Sequence, residues 1–182
     1  MPLSPPCSRR TQRGLTLPES MIVIAIIALI VGAIGPSFSG TVERRRIEGL
    51  VAQFETDVKY AQGEAQSRAG SVRLSFIPHS AGSCYVVHTG TAAECTCGAD
   101  GRAECVGSAR ALRAVFVPAT DGINVSSNSR SMLFNAARQT VTPAGSITFS
   151  DRNSRSVRQV VNVTGRVRTC SPLGSMAGYR RC

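Results

Sequence analysis

The stretch RGLTLPESMIVIAIIALIVGAIGPSF, Arg13–Phe38, decides how the rest of the chain is read. It starts with a cation and a glycine and passes into a long apolar run. From Met21 to Phe38 there are 18 residues without a charge. As a helix rising about 1.5 Å per residue this covers roughly 27 Å, close to the hydrocarbon thickness of a bilayer. Arg9, Arg10 and Arg13 precede it with no acid among them. Cations stay on the cytoplasmic side, so the bulk of the chain is expected to face outward. One carboxylate, Glu19, stands at the edge of the run, where an acid is costly unless it has a partner.

A cleaved secretory signal would also offer a basic start and an apolar core, with small residues near Ser37 and Gly40. Such a core carries no acid, and the helical pattern would end at the small residues. Here it continues. Ile47, Leu50, Val51, Phe54, Val58, Ala61 and Ala65 recur at offsets of three and four and form one apolar stripe to about Ser67. Glu43, Arg44, Arg45, Glu48, Glu55, Asp57, Lys59 and Glu64 are expected to fall largely off that stripe. The two halves read as one helix of roughly 50 residues, about 75 Å long, whose second half docks on a following domain.

That domain changes period. SVRLSFI, CYVVHT, LRAVFV, GINVSS, SITFS, VRQVVNV and RVRTC alternate as strands between Gly, Ser and Asn punctuation, from Ser71 to Cys170. They predict an antiparallel β domain packed on the helix stripe. The 182 residues carry a net charge of +10, and 20 of the 21 basic residues are arginines. From Arg130 to Cys182 nine arginines face a single acid, Asp151. Such a segment suits an anionic partner, although a solvated basic surface has the same composition. No nucleophile elbow, phosphate-binding glycine loop or metalloprotease helix is present in the sequence, and the acids form no catalytic pair. The expectation is a protein that is not an enzyme and has no cofactor.

The N-terminal residues resemble the type IV pilins and pseudopilins. RGLTLPES looks like a prepilin processing site, and the helix looks like a pilin stem. The resemblance implies that a prepilin peptidase cuts after Gly14 and that the new N-terminus, Leu15, is N-methylated. It implies that Glu19 pairs with the terminal amine of a neighbouring subunit, and that Pro36 is the stem's bending proline. Leu15 stands where the family usually has Phe. Pro18 stands where it has an aliphatic residue, and a proline is tolerated in a helix's first turn. GPSFSG, CYVVHTG and VTGRVRTC resemble the GspH/FimT group of minor pseudopilins, nearest its FimT branch.

The implied organisation is a cleaved leader at 1–14, a stem helix at 15–68 with a transmembrane part at about 17–38, and a head at 69–182. The fold class is α+β, a long N-terminal helix on an antiparallel, two-sheet, β-sandwich-like head. The implied partners are other pilins in a filament, the peptidase and the bacterial inner membrane, with the head in the periplasm and the subunit incorporated into a pilus or pseudopilus.

VRQVVNVTGRVRTC, Val157–Cys170, reads as a hairpin in one of two registers. A two-residue turn at Thr164–Gly165 mixes arginines and valines on one face. A three-residue loop, Val163–Gly165, pairs Val161 with Val167 and puts Arg158, Asn162, Arg166 and Arg168 on one side. The second separates polar from apolar and uses Gly165 as its left-handed residue. Arg166 and Arg168 would then lie roughly 6.6 Å apart, near twice the phosphate rise along one DNA strand. Gly165-Arg166-Val167-Arg168 resembles the GRxR motif of FimT-type pilins, which implies DNA binding for uptake in natural transformation. The alternative is a GspH- or FimU-like structural subunit, for secretion or pilus initiation, that binds no DNA.

Cys7 precedes the apolar run and six cysteines follow it, an even set that reads as disulfides in an exported domain. Cys170–Cys182 would fold Arg180 and Arg181 back beside the hairpin. Cys95 and Cys97 alternate on a strand and are poorly placed to bond each other. Cys84 therefore takes one of them and Cys105 the other. A metal site at Cys95-Thr-Cys97 is the rival, and His79 and His88 lack ligand spacing for it.

Overall fold

The computed structural model describes residues 16–98 and 100–182, with the backbone alone for 33–39. Gly14, Leu15 and Cys7 lie outside the described residues. The chain forms two compact units, Met1–Gly40 and Thr41–Cys182. One helix, α1, runs from Leu17 to Ser67. The helical backbone is continuous through Pro36. Proline removes one backbone donor, and the helical pattern is kept on either side of it.

In the first unit the large apolar side chains from Leu17 to Val31 are all exposed, by 47% at Val23 to 75% at Leu29. They surround the helix, so no face of this half is reserved for a protein core. Among the described residues no helix is long and apolar enough to cross a membrane. Side chains 33–38 of the expected span lie outside that description.

In the second unit the expected stripe is the buried face of α1. Ile47, Phe54, Val58 and Ala61 are fully buried, with Val51 and Ala65 nearly so and Leu50 packed at the margin. Asp57 corrects the expected polar face: it too is fully buried. It lies three residues after Phe54 and four before Ala61, which places it on the flank of the same stripe. Tyr85 Oη donates a 2.7 Å hydrogen bond to Asp57 Oδ2, and Arg113 Nε lies 2.9 Å from Oδ1. Burial pushes the Asp57 carboxyl above its ordinary value, against the hydrogen bond and the guanidinium, which lower it. Burial, reinforced by the Asp57 carboxylate, pushes the Tyr85 phenol well above its own.

Two antiparallel sheets meet this helix face. The first comprises β1 (Ser71–His79), β2 (Gly82–His88), β5 (Ala111–Pro118), β7 (Ser131–Asn135) and β8 (Thr140–Thr142), in the order β5-β2-β1-β7-β8. The second comprises β6 (Ile123–Ser127), β9 (Gly145–Asp151), β10 (Ser156–Val161) and β11 (Val167–Cys170), in the order β11-β10-β9-β6. Leu74, Tyr85, Val87, Met132 and Phe134 from the first sheet and Ile147, Phe149, Val157 and Val161 from the second share one core with the helix stripe. Phe54 is its centre, with its ring 5.5 Å from Tyr85, 6.0 Å from Phe76 and 6.3 Å from Phe149. The protein is α+β, as the sequence implied.

A small ribbon, β3 (Cys95–Cys97) with β4 (Ala103–Cys105), covers the other face of the first sheet. Val86, Ala114 and Phe116 form a second, smaller cluster with its cysteines. Cys84–Cys97 ties the ribbon to β2, and Cys95–Cys105 closes it internally. His88 is buried at the edge of this face, with Nε2 2.8 Å from Ser75 Oγ and Nδ1 2.8 Å from the Thr89 carbonyl oxygen. Burial lowers its pKa, so both of its neighbours face a neutral ring.

Candidate functional site

The C-terminal hairpin of β10 and β11 lies at the edge of the second sheet. Val161 pairs with Val167, Val160 with Arg168 and Arg158 with Cys170. Val163–Gly165 is thus a three-residue loop. Along β10, Val157, Gln159 and Val161 are buried, while Arg158 is half-buried and Val160 exposed. Arg166 and Arg168 are exposed on the same outer side. Neither makes a side-chain hydrogen bond or ion pair among the described residues. Beside them β9 presents Ser146, Thr148 and Ser150 outward, and Arg158 Nε donates to Thr148 Oγ1 at 3.1 Å. The outer face of these three strands therefore carries arginines and hydroxyls, and no carboxylate.

The loop is held by groups that the sequence did not single out for this task. Asn162 Oδ1 accepts from Thr164 N–H at 3.1 Å, from Thr164 Oγ1 at 2.8 Å and from Arg166 N–H at 2.8 Å. Asn162 thus organises the turn through Oδ1, a role that its position two residues before Thr164-Gly165 allows. Gly165 has φ +76°, and a Cβ there would run into Gln62 of α1 and crowd Val141 of β8. Glycine suits the left-handed backbone, and any larger residue would also have to displace the Gln62 amide. Gln62 Nε2 donates to the Thr164 carbonyl at 3.5 Å, and Val141 N–H to the Val163 carbonyl at 2.7 Å. The glycine of the motif seats the arginine strand against the stem helix.

At the other end of β11, Cys170 is bonded to Cys182. Ser171 N–H donates to the Arg180 carbonyl at 2.8 Å, and Ser171 bridges to Arg181. These bonds place exposed Arg180 and Arg181 beside the end of β11. Met176, within this closed tail, is 1% exposed and belongs to the main core. Arg44 of α1 donates to the Ala177 carbonyl at 3.0 Å. Arg155 is not part of the free basic surface: it pairs with Asp151 and, at 3.0 Å, with Glu43 of the stem.

Glu19 is exposed in the first turn of α1, where the helix dipole favours an acid. Pro36 lies inside the helix, among the residues described by backbone alone. The stem residues and the hairpin belong to different compact units, so the predicted residues form two groups rather than one site.

Residues 50–165 match the family model described as Type II transport protein GspH, and residues 9–35 match the Prokaryotic N-terminal methylation motif. No curated protein matches the chain. Its fold is similar to the crystal structure of the type IV minor pilin FimU of Pseudomonas aeruginosa, with a TM-score of 0.53 and 11% identity, over 75% of this chain and 99% of that one. The minor pseudopilin EpsH from the Type 2 Secretion System of Vibrio cholerae matches with a TM-score of 0.44 and 10% identity, over 69% of this chain and 97% of that one.

Proposed function

The chain belongs to the type II transport protein GspH family, and from that premise we propose that it is a FimT-like minor pilin which binds DNA along its C-terminal hairpin for uptake. Membership, with the N-terminal methylation motif, makes it a structural subunit of the type IV pilus or type II secretion kind that assembles with other pilins. The observation that carries the DNA reading is the exposed Arg166 and Arg168, unpaired among the described residues, on an outer face without a carboxylate and next to the left-handed Gly165. Arginine's planar fork suits phosphate oxygens, and a flat strand face offers backbone contacts without base readout. Arg158, Arg180 and Arg181 extend the same surface.

The test is a titration of the full chain, in detergent, with duplex DNA at several salt concentrations. Arg166→Gln with Arg168→Gln is expected to weaken binding to all sequences alike. It should also reduce the log–log salt slope by about 1.8 if each arginine contacts one phosphate. Absence of binding at low salt would favour the second reading, a structural subunit of secretion or pilus initiation without a DNA role.

The apolar half of α1 supports an inner-membrane anchor before assembly, with neighbouring stems replacing lipid afterwards. In this reading the prepilin peptidase cuts after Gly14, and methylated Leu15 supplies the amine that pairs with a neighbour's Glu19. A carboxylate in hydrocarbon costs a few kcal/mol unless paired, which biases subunits toward the filament. Glu19→Ala is expected to leave membrane insertion intact and to cut incorporation into filaments. Unchanged recovery of the variant in sheared filaments would refute the role.

A further inference from the structure

A cavity of about 330 Å³ opens beside the hairpin loop, between the end of α1, the β7–β8 turn and Thr164. Its size falls at the low end of small-ligand sites. Its polar lining comes from neutral groups, chiefly the amides of Gln62, Gln66 and Gln139 and the Thr164 hydroxyl, over a floor that includes Phe134 and Val141. Gln62 is engaged with the loop. The side chains of Gln66 and Gln139 make no hydrogen bond among the described residues. Gln139 has φ +51°, a left-handed conformation that disfavours a long side chain and favours glycine or asparagine.

In sequence, Arg138 adjoins Gln139 and Arg166 follows Thr164 by two residues; both are exposed, and neither lines the cavity. Neither makes a side-chain hydrogen bond or ion pair among the described residues. The neutral lining suits a neutral, planar group. Glutamine amides offer a donor and an acceptor side by side, the pattern presented by the edge of a nucleobase.

We infer that this cavity takes an unpaired nucleobase from the DNA strand whose phosphates lie on the hairpin. The inference rests on the DNA reading above and sharpens its substrate to DNA ends and single-stranded overhangs. A base inside a duplex must first be unstacked and unpaired, at a cost of a few kcal/mol, whereas an overhang offers one freely.

The experiment compares a short blunt duplex with the same duplex carrying a single-stranded overhang, each titrated with the full chain in detergent. The overhang is expected to bind about fivefold tighter, the low end of one bidentate base contact. Gln66→Ala with Gln139→Ala should abolish that advantage and leave the affinity for the blunt duplex unchanged, which also reports that the variant is folded. Equal binding of the two duplexes, or an advantage that survives the double substitution, overturns the inference while the DNA reading stands. Failure of both duplexes to bind overturns both.

Discussion

Phe54→Ala is expected to lower the stability of the head by about 3–5 kcal/mol. Its ring is fully buried and meets Phe76, Tyr85 and Phe149, so it joins the helix to both sheets at once. Truncation loses the transfer free energy of the ring and leaves a cavity that three aromatic neighbours, each fixed by its own strand, are poorly able to fill. For a domain whose whole stability is about 5–15 kcal/mol, that is a large share. Urea unfolding should show a lower midpoint with an unchanged slope. A loss under about 1 kcal/mol would mean that the helix and the sheets are not held through this residue.

Arg113→Ala is expected to cost about 2–3 kcal/mol at neutral pH, somewhat less than the 3–5 typical of breaking a fully buried pair, because the arginine is 43% exposed. The cost comes from Asp57, which is left buried with only the Tyr85 hydroxyl beside its charge. The pH dependence has a definite sign. The folded chain holds the Asp57 proton more tightly than the unfolded chain, since burial raises its pKa. That contribution to stability is fully present below the ordinary carboxyl range and is lost as pH rises through the raised folded value. Removing Arg113 takes away a group that lowers this pKa and raises it further. The deficit of the variant should therefore shrink on acidification, because a protonated Asp57 needs no cation. Unfolding curves at neutral and mildly acidic pH check this, and a deficit that is constant with pH would assign the loss to packing alone.

The helix was the most legible element. Its stripe from Ile47 to Ala65 repeats over several turns, and only helical packing accounts for it. The strands with strong alternation, such as SVRLSFI and VRQVVNV, were legible too. β7 (SMLFN) and β8 (TVT) were not, because one lies in a serine- and asparagine-rich segment and the other is three residues followed by Pro143. β3 and β4 are equally short and are held through cysteines more than through strand pattern. Strand order was beyond the sequence: β1 lies between β2 and β7, a non-local pairing that turn chemistry does not encode. At the candidate site the register followed from facial segregation, since only one loop length puts the valines together. The burial of Asp57 is not legible in the stripe, because its partners Tyr85 and Arg113 come from strands distant in sequence. Gln62 and Gln139 carried no signal at all; only the fold brings them beside Thr164.

Strand β11 has one neighbour, β10, and among the described residues no strand on its other side. A strand in that position, if pulled outward by something long and heavy, would unzip one hydrogen bond at a time. Here neither end is loose. The loop end is wedged by Gly165 against the helix, and the far end is closed into a ring whose Met176 is sunk in the core. A pull applied at Arg166 and Arg168 would thus be shared between a helix contact and a buried plug instead of falling on the four residues of the edge strand alone.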